Sequence, residues 1–171
     1  MTDNWTNGDC FQHGALRDFS SYLEDNKKQK ESSVIWSGES IRQSTLTESF
    51  TSRGAFFLVN PNRKNQGETL HDISVTVQVI KPGDSTTPHS HSFWHLYIGI
   101  SGSGEIMLNE NDSSIINSGD IIYVPAWVEH QFINNGQQDL VLYVIQNLPG
   151  MASQGSLLRK DGIETYSTHT S

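Results

Sequence analysis

The chain has 171 residues, which suits one domain with a single sizeable core. Eleven Lys and Arg against nineteen Asp and Glu give a formal charge of −8, which argues against nucleic acid or an anionic membrane as the main partner. The start, Met1-Thr2-Asp3-Asn4-Trp5, has no basic or apolar leader pattern, and no stretch approaches the roughly 20 apolar residues that span a bilayer, so a soluble, cytoplasmic protein is expected.

In chain order, Cys10 stands alone, which rules out an internal disulfide and agrees with a reducing compartment. Residues 14–25 place Leu16, Phe19 and Leu23 at helical spacing with Tyr22 beside them, predicting a short amphipathic helix that ends in the polar run 26–33. Val34-Ile35-Trp36 and residues 41–50 read as the first strands. Residues 54–59 form an apolar run that ends in the turn Asn60-Pro61-Asn62, and 63–68 form a polar loop. Over 72–80 apolar and polar residues alternate, with Ile73, Val75, Val77 and Val79 on one face and Ser74, Thr76 and Gln78 on the other, the pattern of a half-buried strand. Further short strands follow over 94–100, 105–108, 113–117, 121–124, 131–133 and 140–145, with turns between them, which predicts an all-β antiparallel barrel or jelly roll. After Pro149-Gly150 the apolar density drops, leaving a Ser-, Gly- and Thr-rich tail expected to be mobile or docked on a partner subunit. The expected organisation is an extension with a short helix over 1–33, a barrel over 34–148 and a tail over 149–171.

The chemistry concentrates in Pro88-His89-Ser90-His91-Ser92-Phe93-Trp94-His95, answered by His130. His89, His91 and His95 share one parity, so in an extended run they point to the same side of a sheet. Neutral imidazoles on one face suit a metal ion, although His-x-His by itself more often describes a surface strand with solvated histidines. His13, His71 and His169 are isolated and read as solvated residues.

The glycine and proline framework around the histidines decides between these readings. Gly83 precedes His89 by six positions and His91 and His95 follow, then Gly102; Gly119, Pro125, His130 and Asn134 follow at fixed spacing. This resembles the two-part signature of the cupin superfamily, G-x5-H-x-H-x3-4-E-x6-G and G-x5-P-x-G-x2-H-x3-N, with the short spacing between parts found in small cupins. Two positions depart from it. His95 stands where the family usually has a glutamate ligand, and Trp127 where it has a glycine. The resemblance implies a cupin barrel and a divalent transition metal held by His89, His91, His95 and His130, or by three of them with the fourth position idle. Iron(II) is the expected ion, with Mn, Ni, Cu and Zn as alternatives. It also implies a homodimer that exchanges terminal segments.

Four neutral imidazoles leave the metal its full charge, and so favour an anionic oxygen ligand such as an enolate, phenolate or carboxylate. By parity Phe93, Tyr97 and Gly99 share the inward face with the histidines, and Phe132 and Asn134 share it with His130. Phe93, Tyr97, Trp127 and Phe132 are the candidate substrate contacts; plain core packing is the competing role for the first, second and fourth, and a packing plug at the barrel rim for Trp127. Arg42, Arg53 and Arg63 are candidate carboxylate anchors or surface charges. The function expected is a non-haem iron dioxygenase acting with dioxygen on a small phenolic, diketone or other enolisable compound. The alternatives are a non-oxidative metal-dependent isomerase, cyclase or lyase, and a small-molecule-binding cupin without activity.

Overall fold

The computed structural model describes residues 15–27, 31–47, 55–64, 67–109, 112–161 and 164–167. Cys10, His13, Arg53 and His169 lie outside the described residues. The chain divides into two units, residues 1–33 and 34–171. In the first unit, helix α1 spans Phe19–Lys27. It starts where it does because Asp18 accepts bonds from the Ser21 amide (3.0 Å) and hydroxyl (2.6 Å), satisfying an amide that the first turn leaves without a partner.

The second unit opens on helix α2, Gly38–Thr47, where strand had been expected over 41–50; residues 48–50 are not among those described. Local capping overrides the apolar spacing here. The Ser37 hydroxyl accepts from the Ser40 amide at 3.1 Å, and Glu39 in the first turn takes bonds from Arg42 and Gln43 at 2.5 and 2.9 Å.

Two antiparallel sheets follow. The five-stranded sheet contains β1 (Ala55–Phe57), β2 (Ser74–Ile80), β4 (His95–Ser101), β7 (Ile121–Val124) and β9 (Leu140–Gln146), in the order β1-β2-β9-β4-β7. The six-stranded sheet contains β3 (His89–His91), β5 (Ser103–Leu108), β6 (Asp112–Asn117), β8 (His130–Ile133), β10 (Leu158–Asp161) and β11 (Glu164–Ser167), in the order β11-β10-β3-β8-β5-β6. Short helix α3, Leu148–Ser153, links β9 to β10. This is the expected all-β jelly roll. No helix among the described residues is long and apolar enough to cross a membrane.

The core lies between the sheets. Ile80, Tyr97, Val124, Leu140, Leu142 and Val144 come from one sheet, and Ile106, Ile116 and Phe132 from the other. Along β9 every second residue is buried, and the series Leu140, Leu142, Val144, Gln146 passes from aliphatic to polar. Strand β2 makes the same transition in reverse: Thr76 and Gln78 share the face of Ile80, which belongs to the core, and both line an internal cavity. Its opposite face is covered too. Val77, only 1% exposed, stands with Trp36, Phe56 and Ile41 of α2 around an outer hollow. The alternation in β2 was visible in the sequence, but the polar face turns towards the cavity rather than solvent.

Gly99 marks the tightest approach of chain to chain in this core. A Cβ at that position would fall 2.2 Å from the carbonyl oxygen of Asn117, a backbone atom with no freedom to yield. Gly99→Ala is therefore expected to destabilise the domain by about 3 kcal/mol, the upper part of the range for overpacking. A urea midpoint equal to the parent's would refute this.

Candidate metal centre

Strands β3 and β8 are neighbours in the six-stranded sheet, and His89 sits directly opposite His130. Opposite residues in an antiparallel pair project to the same face. His91, two positions along β3, joins them by strand parity. The His89 and His130 ring centroids are 4.4 Å apart, and those of His91 and His130 5.1 Å. One ring nitrogen from each of the three lies within 4.8 Å of the others, the one such cluster among the described residues.

The backbone fixes which nitrogen is offered. Nδ1–H of His89 donates to the Thr87 carbonyl at 2.7 Å, that of His91 to Phe93 at 2.7 Å and that of His130 to Val128 at 2.9 Å. Each neutral ring then carries its lone pair on Nε2. The Nε2 atoms of His91 and His130 are buried without any hydrogen-bond partner. A buried acceptor without a partner is costly, and two facing each other need a shared electrophile. Burial, ahead of the neighbouring imidazole charges, lowers His89 and His91 to about 3, and burial likewise lowers His130. All three are thus deprotonated at neutral pH, the form that ligates metal. The donor set fits a divalent transition metal.

His95 packs against this group from the other sheet, its ring centroid 5.4 Å from that of His130. The chain leaves the six-stranded sheet after His91, and His95 opens β4 in the facing sheet, so the strand-parity argument does not carry across Ser92, Phe93 and Trp94. Both of its ring nitrogens are engaged: Nε2–H donates to Gln146 Oε1 and the Tyr97 hydroxyl donates to Nδ1, each at 2.5 Å. Burial, with His91 and His130 nearby, holds it neutral. Its ring stands edge-on to His91 at 4.4 Å between centroids.

A cavity of about 500 Å³ opens beside the cluster. His89 and His91 line it from β3 and His95 from β4, while Phe57, Phe93 and Tyr97 supply an aromatic lining. The facing wall is polar and uncharged, made of Thr76, Gln78 and Gln146, and Arg159 and Asp161 of β10 complete the surround. Phe93 stacks on His91 at 3.7 Å with 5° between planes, which fixes that ring. Of the four expected substrate contacts, Phe93 and Tyr97 line the cavity. Phe132 is instead packed in the core against Tyr97, at 4.6 Å. Trp127 is 50% exposed and is not part of the lining. Its backbone, at φ 66°, takes the left-handed conformation for which glycine is suited, while its amide bonds the His91 carbonyl at 2.8 Å. Neither Arg42 nor Arg63 reaches the cavity.

The signature's remaining positions are structural. Asn134, fully buried, donates from Nδ2 to the Ile80 and Gln138 carbonyls, both at 2.8 Å, and its own carbonyl accepts from Gly83. Residues 76–146 match the family model for the cupin domain. The fold is that of a cupin.

Among characterised proteins, 5-aminosalicylate 1,2-dioxygenase from a Comamonas species is 33% identical over 94 residues, 55% of this chain and 25% of that protein. Auxin-binding protein 1 of Arabidopsis thaliana is 29% identical over 94 residues, 48% of each protein. The crystal structure of salicylate 1,2-dioxygenase from Pseudaminobacter salicylatoxidans superposes with a TM-score of 0.72 at 16% identity, over 90% of this chain and 51% of that one, a likeness of fold. The cupin described here spans between a quarter and about half the length of these relatives.

Proposed function

We propose that this cupin is a non-haem iron dioxygenase that acts on a small phenolic or other enolisable compound, with iron(II) held by His89, His91 and His130. The observation that carries the reading is the convergence of three unprotonated Nε2 atoms, two of them buried without a partner, beside a cavity with an aromatic lining. The relatives named as ring-hydroxylated-acid dioxygenases support it. Iron(II), when bound there, would supply Lewis acidity and redox chemistry towards dioxygen, with none of its charge cancelled by the three neutral imidazoles that hold it.

The protein's own contributions follow from the geometry. The three Nδ1–H bonds to backbone carbonyls hold the imidazoles in one tautomer and one orientation. Phe57, Phe93 and Tyr97 exclude water and accept a planar ring. Thr76, Gln78 and Gln146 offer neutral hydrogen-bonding groups to orient substituents. In this reading His95 acts from outside the ligand set: it anchors Gln146 and Tyr97 in the cavity wall through its two short bonds. The exposed Ile121 and Tyr123 on the edge strand β7 support assembly as a homodimer.

An oxygen electrode tests the reading. Protein reconstituted with iron(II) is expected to consume dioxygen in proportion to added substrate for at least one member of a panel of catechols, hydroxybenzoates and 1,3-diketones. The auxin-binding relative favours a second reading, a ligand-binding cupin. Tight binding of a panel member with no oxygen uptake would select it, and turnover unaffected by removing oxygen would select Lewis-acid chemistry instead.

A further inference from the structure

Arg159 occupies a position that the composition of the C-terminal segment gave no reason to expect. Strand β10 pairs antiparallel with β3, placing Arg159 opposite His91 and Asp161 opposite His89, while Lys160 between them is exposed. Opposite residues share a face, so the guanidinium and the carboxylate stand on the same surface as two of the three metal-site histidines. Both line the cavity, with side chains 15% and 25% exposed. Arg159 is the one cation among the described residues of that lining.

The charge balance of this arrangement is lopsided. Three neutral imidazoles cancel none of a divalent metal's charge, and Arg159 adds another positive charge nearby. Asp161 offsets one unit, and it does so through a single oxygen, since Nε (2.8 Å) and Nη2 (2.7 Å) of Arg159 both reach Oδ1. Nη1 is the guanidinium nitrogen that Asp161 does not engage. A cation retained beside a metal site opposes metal occupancy unless an anion comes with the ligand. The remaining cavity wall, Thr76, Gln78 and Gln146, is neutral and supplies no counter-charge.

From this juxtaposition we infer that Arg159 is a specificity-determining residue that selects substrates carrying a carboxylate, with Asp161 setting the strength of that hold. The substrate is then a hydroxy acid whose enol or phenol oxygen faces the histidine cluster and whose carboxylate faces β10. This rests on the metal-centre reading above for the oxygen end alone. The C-terminal strand is accordingly a working part of the cavity wall.

The test is equilibrium binding, by calorimetry under argon, of the iron-loaded protein to salicylate, gentisate and 1-hydroxy-2-naphthoate and to the neutral amide of each. Wild type is expected to prefer at least one acid over its amide. Arg159→Gln should weaken that acid about 10- to 100-fold, as fits the loss of a hydrogen bond to a charged group, and leave the amide within about twofold. Arg159→Lys should fall between, because an ammonium keeps the charge and loses the planar fork. Asp161→Asn should tighten the acid by releasing the guanidinium, a gain that a merely structural pair would not give. Wild type with no preference for any acid, equal weakening of acid and amide in Arg159→Gln, or no change in either would each overturn the inference. Where Arg159→Gln does not fold by circular dichroism, the sign of the Asp161→Asn effect decides. Acid selectivity that depends on Arg159 without oxygen uptake would remove the dioxygenase reading alone; oxygen uptake with acid selectivity unchanged in Arg159→Gln would remove this inference alone.

Discussion

Alanine at His91 or at His130 is expected to strip the domain of bound metal, whereas His95→Gln should retain a near-stoichiometric complement. His91 and His130 present buried Nε2 atoms with no other partner, so each truncation removes a donor that nothing nearby replaces. The fall in metal affinity should exceed the roughly 10- to 100-fold typical of losing a mere supporting group. His95 already spends both ring nitrogens, on Gln146 and on Tyr97, and the glutamine side chain can restore part of that pairing. Elemental analysis of the three variants purified side by side checks this. Metal lost from His95→Gln as completely as from His91→Ala would place His95 in the ligand set and dispose of a three-histidine centre.

The chelator-treated protein is expected to lose stability steeply as the pH falls below about 6.5, the ordinary histidine value in an unfolded chain. Burial lowers His89 and His91 to about 3 in the folded protein. Between those values the unfolded chain binds protons that the folded one refuses, so acid drives unfolding. The contribution is fully present above the unfolded value and is lost as the pH drops towards the folded one. Each histidine adds a slope of about 1.4 kcal/mol per pH unit in that window, and His130, shifted the same way, adds to it. Urea midpoints measured between about pH 7 and about pH 5 should fall sharply. The same series with bound metal should fall less at the start, because metal and protons compete for the same Nε2 lone pairs. A midpoint that stays level in the chelated protein would mean that the three rings are open to water.

The sequence disclosed the barrel and the histidines through different kinds of signal. Spacing between Gly83, His89, His91, Gly119, Pro125 and His130 is a backbone property, set by turns such as Gly83 at φ 83°, and it survives being read one-dimensionally. Strand parity, by contrast, holds only within a strand. It accounts for His89 and His91 standing together; His95 reaches the same cavity by another route, since the chain crosses from one sheet to the other over three residues. The inward series of β9, ending in Gln146, carried a usable signal for the polar wall, since a glutamine in phase with Leu140, Leu142 and Val144 is out of place in a plain core. Thr76 and Gln78 were placed on one face of a half-buried strand without a role, because alternation says which residues share a face and not which face is inside. Arg159 carried no local signal. Its place depends on β10 returning to pair with a strand 68 residues earlier, Arg159 against His91, a contact no window of sequence contains.

All three metal-site histidines belong to one sheet, while Thr76, Gln78, Tyr97 and Gln146 belong to the other. The charged groups of the cavity, Arg159 and Asp161, share the histidines' layer, and the other layer supplies neutral lining. Side chains on β2 and β9 can be exchanged without altering the strands that carry the three histidines. In such a scaffold the neutral part of the lining can change through a single layer while the histidine cluster stays in place.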